Sequence, residues 1–498
     1  MRWIIKKVVK TVALITALSC MERGIGFFYR IFLSRQLGAE FIGIYQVTLS
    51  VVGVLVTLTA SGIPITVSRL MLREKAVGNK KGENDVVSAG IVTALLISVP
   101  CAAALYFFKG AFSFMFADQR CYDLLVIILP GITITSVYAV IRGFFWGNSY
   151  FLTYALIELL EEAVMCLAGV VLVTRAQSAW LGTLSAAKSV LISYVVSFVL
   201  STAVFVIKSG RVTNPLYKLK PLILSSSPIT AMRTLTSLAG FLVAIIIPKR
   251  LMMLGGSQTA VMEAFGELNG MAMPLLFIPS TIIGSIALVI VPKLSENFYR
   301  GNKAVVVDAT DRAVDYSLLI ASLIVPVFIS AGGKIGEFVY DNPAAGQYLS
   351  LSAVIMLPMS FTMMTNSVLN SLNMEKRTLV NFVVGTAVML GLMWVLPKYV
   401  GIHAMIIGYL FSYTITGTLN LVALKKIRRD LRPVLLKIGR FIGITLVTTV
   451  FSCLVGGLLK GRTSSFLFVL TVGFVTLLFE GGLLYATGTV DLRKLIKE

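Results

Sequence analysis

Apolar residues follow one another along this chain in long uncharged stretches, from Val8 to the region of Thr487, broken by short joints that carry charges, glycines or prolines. About 20 apolar residues rising roughly 1.5 Å each form a helix that crosses a bilayer. The pattern predicts about fourteen such spans. They are Val8–Leu33, Phe41–Ile63, Val86–Phe108, Leu124–Phe145, Thr153–Thr174, Leu181–Ile207, Ile229–Ile247, Leu268–Val291, Ala313–Ala331, Leu349–Ser371, Leu379–Leu396, Ile402–Leu424, Ile438–Leu459 and Ser465–Ala486. No joint has room for a second soluble domain, so the work is done within the membrane or on short loops.

Composition agrees with this pattern. Charged residues make up 13% of the chain, where a soluble domain carries roughly 25%; the mean hydropathy is +0.89. The expected class is an all-α membrane protein. The net charge of +21 would suggest nucleic acid in a soluble chain, but here it follows the positive-inside bias. Alternate joints hold Arg69, Arg73, Lys75, Lys80 and Lys81; Lys208, Arg211, Lys218 and Lys220; Lys293, Arg300 and Lys303; and Lys425, Lys426, Arg428, Arg429 and Arg432. The ends add Arg2, Lys6, Lys7, Lys10, Arg493, Lys494 and Lys497. The opposite joints are poorer in cations. Both termini are therefore expected in the cytoplasm, with the first span uncleaved: its apolar run continues to Leu33 without a well-placed small-residue cleavage site.

The chain repeats itself weakly. Gly26-Phe27 followed by Arg35 resembles Gly240-Phe241 followed by Lys249. Val140-Ile141-Arg142-Gly143 resembles Val368-Leu369-Asn370-Ser371, and Ser193-Tyr194 resembles Ser412-Tyr413. Shared order and similar offset suggest two six-helix bundles in parallel orientation, a transporter device. The expected layout is a bundle over 1–207, a cytoplasmic linker over 208–228 punctuated by Pro215, Pro221 and Pro228, a second bundle over 229–424, and two further spans with a cytoplasmic tail over 425–498.

Ionisable residues inside spans are the functional candidates, because lipid disfavours them unless they meet a cavity, a partner or the head-group layer. In the first span Arg23 and Arg30 share a face two turns apart, with Glu22 beside them; Arg30 can line a cavity or snorkel outward near Arg35. Arg142 ends the fourth span, as anchor or as cavity residue. Glu158, Glu161 and Glu162 open the fifth, where a helix N-terminus favours acids; a gate ion pair with Arg142 is the alternative. Lys188 lies inside the sixth span near Ser185, Ser189 and Ser193, which suits an aqueous cavity. Lys249 and Arg250 close the seventh span, and Glu263, Glu267 and Asn269 open the eighth, as an interfacial ion-pair group or a gate. Asn366, Asn370 and Asn373 share one face of the tenth span, for interhelical hydrogen bonds or sugar contacts. Pro100, Pro274, Pro279, Pro326 and Pro358 mark kinks.

The five cysteines are scattered and His403 is the sole histidine, so no metal site, cofactor or Ser–His nucleophile is expected. Interior cations that are mainly guanidinium and ammonium point to an anionic cargo, such as a phosphate-linked lipid head group whose tail stays in lipid.

The same residues resemble a known family. Gly26-Phe27-Phe28-Tyr29-Arg30-Ile31-Phe32-Leu33-Ser34-Arg35-Gln36-Leu37-Gly38-Ala39-Glu40, Gly43-Ile44-Tyr45-Gln46 and Ala60-Ser61-Gly62-Ile63-Pro64-Ile65-Thr66-Val67-Ser68-Arg69-Leu70 are similar to the opening of the stage V sporulation protein B and polysaccharide-biosynthesis family. Ile141-Arg142-Gly143-Phe144-Phe145-Trp146-Gly147, Ile247-Pro248-Lys249-Arg250-Leu251, Gly266-Glu267-Leu268-Asn269-Gly270-Met271-Ala272-Met273-Pro274-Leu275 and Val291-Pro292-Lys293-Leu294-Ser295-Glu296 continue the series over nearly the whole chain. That family belongs to the multidrug/oligosaccharidyl-lipid/polysaccharide (MOP) exporter superfamily. The resemblance implies a fourteen-helix flippase for lipid-linked glycans, related to lipid II flippases, with a central cationic cavity and alternating access. Arg30 and Arg142 match the arginines of the family's motifs. Met165 stands where the family often has arginine, and Trp146 where glutamine is usual.

The partners expected are a lipid-linked glycan, membrane lipids, a coupling ion (H⁺ or Na⁺) and proteins of cell-wall synthesis. The competing readings are a cation-coupled multidrug exporter, a non-transporting scaffold of cell-wall or spore-cortex synthesis, and a membrane glycosyltransferase. The exporter needs embedded carboxylates, for which the pattern offers Glu22 alone. The transferase needs acidic catalytic residues or sizeable outer loops, which the chain lacks.

Overall fold

Helix is the sole regular structure among the described residues of the computed structural model, which are 2–428, 430–459, 461 and 463–489. The side chains of 2–13 and of Leu288 are not described. The side chains of Arg2, Lys6, Lys7 and Lys10, and the cations Arg429, Lys460, Arg462, Arg493, Lys494 and Lys497, therefore lie outside the described part of the molecule. Apolar segments in lipid satisfy their backbone amides internally, and a helix does so within one segment.

The chain divides into two compact units, 1–252 with 256–263, and 253–255 with 264–498. The first contains α1 (Arg2–Leu37), α2 (Ala39–Ala60), α3 (Ile63–Ala76), α4 (Lys80–Phe107), α5 (Lys109–Ser113), α6 (Gln119–Gly147), α7 (Phe151–Thr174), α8 (Ala179–Ile207) and α9 (Leu216–Met253). The short α10 (Gln258–Phe265) lies at the division. The second contains α11 (Met273–Tyr299), α12 (Lys303–Tyr340), α13 (Pro343–Ser352), α14 (Met356–Ser371), α15 (Glu375–Val395), α16 (Pro397–Val400), α17 (Ala404–Leu424), α18 (Arg432–Leu459) and α19 (Ser465–Ala486). Twelve helical stretches among the described residues are long and apolar enough to span a membrane. They coincide with twelve of the expected spans. The other two expected spans, α1 and α7, are helical as well but carry Glu22, Arg23 and Arg30, and Glu158, Glu161 and Glu162.

Local sequence sets the breaks. Gly38 at φ 80° turns the chain between α1 and α2, a left-handed position suited to glycine. Asn79, Ser178, Asn342 and Ser464 each accept a backbone N–H at the start of α4, α8, α13 and α19.

In the first unit α6 is central and packs against α2, α3, α4 and α8. Its C-terminal half, with Val140 and Phe145, joins Val67, Val86 and Phe205 in one apolar core. The joint after α8 is tied back to the unit. The buried Asp85 carboxylate accepts from Thr213 Oγ1 at 2.5 Å and from the Tyr217 hydroxyl, and Lys218 pairs with Glu74 at 2.5 Å. α9 runs unbroken through the expected linker and seventh span despite internal Pro221 and Pro228, and its packing places it with the first unit.

In the second unit α12 is central and packs against α11, α13, α14, α18 and α19. A Cβ on Gly346 would press on backbone atoms of Gly332 and Gly333, so α12 and α13 approach backbone to backbone. Asp311 pairs with Arg428, and Asp315 with Lys437 at 2.7 Å, so the basic run after α17 docks the last helix pair on α12.

Candidate functional site

Four helices of the first unit gather the charged residues of its interior. α7 packs against α1, α6 and α8, and α1 and α6 both touch α8. Arg142 on α6 and Glu158 on α7 form an ion pair, Nη1 to Oε1 at 3.3 Å. The guanidinium lies 5.5 Å from the Trp146 ring centre and 5.8 Å from that of Tyr154, close enough for cation–π attraction. Its Nε is buried without a hydrogen-bond partner, as is Oε2 of Glu161 one turn further along α7.

The acids continue on the side facing α1. Glu22 lies within electrostatic reach of Glu158 and Arg23, and Glu162 within reach of Glu22 and Arg30. Gly26 makes this approach possible, since a Cβ there would collide with the Glu162 carboxylate. Tyr29, on the buried side of α1, shares a hydrogen bond with Ser189 of α8, Oη to Oγ at 3.0 Å. Tyr138, Tyr154 and Tyr194 surround the acids. Arginines and glutamates thus share this region: half-buried Arg30 and Arg142 lie among Glu22, Glu158, Glu161 and Glu162, and Arg23, beside Glu22, is exposed. An anion bound here would compete with Glu158 for Arg142, and a cation would compete with the arginines for the glutamates. The arrangement is an exchangeable charge network rather than a purely cationic surface.

The other candidates are dispersed. Lys188 is exposed on the strip of α8 that carries Leu181, Ile192, Val195 and Val199, apart from the buried face with Ser189 and Ser193. Lys249 donates to the Phe114 carbonyl at 3.0 Å and covers the Phe114 ring, which ties the end of α9 to the joint before α6. Arg250 is half-buried nearby in sequence. Glu267 lies in a π-helical stretch, Gly266–Ala272, and accepts from Asn342 Nδ2 at 3.1 Å. Asn366 accepts from Asn420 Nδ2 at 2.8 Å, Asn420 accepts from Asn381 Nδ2 at 2.8 Å, and Asn370 accepts from the Thr378 hydroxyl at 2.7 Å. Asn366 and Asn370 therefore sit in an amide and hydroxyl ladder across α14, α15 and α17, with Asn370 exposed.

The pattern singles out Glu158, Glu161 and Glu162 but offers Glu22 alone as a deep carboxylate: Glu161 and Glu162 also lie half-buried inside the first unit, and Glu480 of α19, which the pattern passes over, is completely buried in the second. Asn381 and Asn420 are isolated polar positions in apolar runs, a faint signal that points to interhelical bonding. Among the described residues no three His, Cys, Asp or Glu side chains are grouped to hold a metal ion.

The model of the polysaccharide biosynthesis protein family matches residues 8–298, more than half of the sequence. The chain belongs to this family. Among curated relatives, stage V sporulation protein B of Bacillus subtilis (strain 168) is 26% identical over 404 residues, 78% of this chain and 77% of the relative. Sporulation protein YkvU of the same organism is 22% identical over 402 residues, 78% of this chain and 88% of the relative. Among solved structures, the lipid II flippase MurJ in an inward closed conformation superposes with a TM-score of 0.76 at 14% identity, covering 95% of this chain and 99% of that one. An inward-facing multidrug resistance MATE transporter of the MOP superfamily gives 0.69 at 15% identity, covering 82% and 95%. This family member is an all-helical, multi-pass membrane protein with the fold shared by those transporters.

Proposed function

We propose that this protein is a flippase that carries an undecaprenyl-phosphate-type lipid-linked oligosaccharide or peptidoglycan precursor across the cell membrane, from the cytoplasmic to the outer leaflet, by alternating access. Both termini face the cytoplasm. Bundles 1–207 and 229–424, joined by linker 208–228, rock about the cargo, and the helices of 425–498 are an addition. Family membership and the likeness to stage V sporulation protein B support this reading. The observation that carries it is the Arg142–Glu158 pair between Trp146 and Tyr154. A planar guanidinium binds phosphate in bidentate fashion, and one whose counter-ion is an exchangeable carboxylate can take up an anionic head group and release it. Arg23 and Arg30 add cationic contacts, and Asn366 and Asn370 add neutral ones. Lys188 joins the path from the exposed strip of α8. Glu22, Glu158, Glu161, Lys249, Arg250 and Glu267 act as gate or coupling groups. No covalent step is involved: the head group exchanges water for charged partners, avoiding an unpaired buried anion, while the prenyl tail stays in lipid.

The test is leaflet-to-leaflet movement of a fluorescent undecaprenyl-pyrophosphate glycan in proteoliposomes. Arg30→Ala and Arg142→Ala should each abolish movement at normal protein levels, with partial rescue by lysine. Full activity of the Arg30→Ala/Arg142→Ala double variant would refute it.

A second reading, a cation-coupled multidrug exporter, is favoured by one observation: four carboxylates lie within or beside the same cluster, where a coupling cation could bind. Drug efflux lost in Glu22→Gln and Glu161→Gln, with no glycan movement by the native protein, would select it.

A further inference from the structure

The two last helices hide a group that the transport reading does not use. Glu480 is the only acidic or basic side chain of α19, and it is completely buried. Neither carboxylate oxygen has a hydrogen-bond partner of proper geometry. A charged carboxylate so placed costs several kcal/mol or more.

Its neighbours are neutral hydroxyls and one carbonyl, none of them a charged donor. Across the interface with α12 stands Ser322. The Ser322 hydroxyl already gives its hydrogen to the Leu319 carbonyl at 2.9 Å, which leaves its oxygen lone pairs free. The Ser322 carbonyl has lost its helical donor, because the residue four positions on is Pro326, which has no N–H. On α18, Ser452 meets Thr476 at 2.7 Å, and the antiparallel register then sets Thr448 beside Glu480. The Thr448 hydroxyl oxygen is buried and unpartnered, as is that of Thr445. One turn from Glu480, three hydroxyls form a chain: Thr476 to Ser452 at 2.7 Å, and Ser452 to Ser330 at 2.6 Å. Each can accept a proton and donate one.

Among the described residues, no charged side chain is placed beside Glu480 on the elements around it. On α12, Asp311 and Asp315 are paired with Arg428 and Lys437 two turns or more away, and Lys334 pairs with Glu337 toward the other end. On α18, Arg432, Lys437 and Arg440 cluster at its start. α14 and α17, which meet α19 through the apolar cluster at Leu484, carry no acidic or basic side chain.

We propose that Glu480 is a proton-binding site. The bound proton makes a neutral carboxylic acid that donates its O–H to Ser322, at the hydroxyl oxygen or the freed carbonyl. The chain Thr476–Ser452–Ser330 is the route by which that proton enters and leaves. Binding forms one O–H bond on the carboxylate; release returns the proton to the chain and leaves a buried carboxylate with no counter-ion, which favours loosening of α18 and α19 from α12 and entry of water. The site is thus a proton-operated latch on the appended helix pair, and it holds whichever cargo the transporter takes.

Two measurements on the full-length protein in lipid nanodiscs test this. Carbodiimide reacts with protonated carboxyls; a surface glutamate at pH 7 is protonated about one time in 500. Peptide mapping at pH 7 should therefore find Glu480 labelled more than about a hundredfold above the exposed Glu296 and Asp308. Infrared spectra should show a carboxylic-acid carbonyl band that is absent in Glu480→Gln, a neutral isostere that keeps the packing. Ser322→Ala/Pro326→Ala should shift that band by removing its acceptors. An acid band identical in wild type and Glu480→Gln would overturn the proposal even if reagent access prevented labelling. Labelling suppressed by sodium at constant pH would overturn it in favour of a sodium site.

Discussion

Removing Arg142 tests both the packing and the function of the charged cluster. At 3.3 Å the Arg142–Glu158 attraction is about 5 kcal/mol at an effective dielectric near 20. The side chains keep 23% and 25% of their exposure, so the pair lies between a surface bridge, worth up to about 1 kcal/mol, and a buried one, whose breaking costs about 3–5 kcal/mol. After desolvation a coupling of about 1–3 kcal/mol is expected. The rings of Trp146 and Tyr154 add about 0.5–1 kcal/mol each. Arg142→Ala should then lower stability by roughly 3 kcal/mol, because it loses the pair and both ring contacts and leaves Glu158 facing the other acids. Glu158→Gln should cost less, since Arg142 keeps its rings. The double variant Arg142→Ala/Glu158→Gln should recover part of the stability lost by Arg142→Ala, since the uncompensated carboxylate is gone but the ring contacts are not restored, and none of the glycan movement. Unfolding in detergent for all four proteins provides the cycle, and proteoliposome flipping provides the function. A coupling energy indistinguishable from zero would refute the ion-pair reasoning. Normal flipping by the double variant would refute the role of the guanidinium in cargo binding.

Further expectations concern single contacts. Gly346→Ala should destabilise by about 1–3 kcal/mol, measured by thermal unfolding, because its Cβ would meet backbone of Gly332 and Gly333 rather than a side chain that can turn aside. Asn420→Leu leaves Thr365, Asn366 and Asn381 short of partners and should cost about 1–2 kcal/mol, at roughly 0.6 kcal/mol per interhelical bond; unchanged stability would mean the ladder is redundant. Asp85→Ala removes the acceptor of Thr213 and Tyr217, so protease cleavage within the joint 208–215 should speed up severalfold in the intact protein, with no change at other sites.

How far the sequence can be read depends on the range of the forces involved. Span length, the joints and the expectation of a transporter of anionic lipid-linked cargo follow from composition and local pattern, because a bilayer enforces about 20 apolar residues per crossing on any helix, whatever its neighbours. The charges at 22–30, 142 and 158–162 stood out for the same reason: each is locally costly in lipid. What those charges meet is another matter. That Arg142 selects Glu158, that Glu162 reaches α1 through the absent side chain of Gly26, and that Lys188 lies on the exposed strip of α8 while Ser189 bonds Tyr29 are set by the rotation of each helix about its axis. Glu480 shows the limit plainly: one acid in an apolar run looks like an accident, and only the packing of α12 and α18 against α19 makes it a buried site whose carboxylate has no hydrogen-bond partner. By itself the sequence determined which segments cross the membrane, since that is a property of each segment in lipid. Tertiary structure decided which polar groups share a space, because helix rotation and register are chosen by close packing among all neighbours at once.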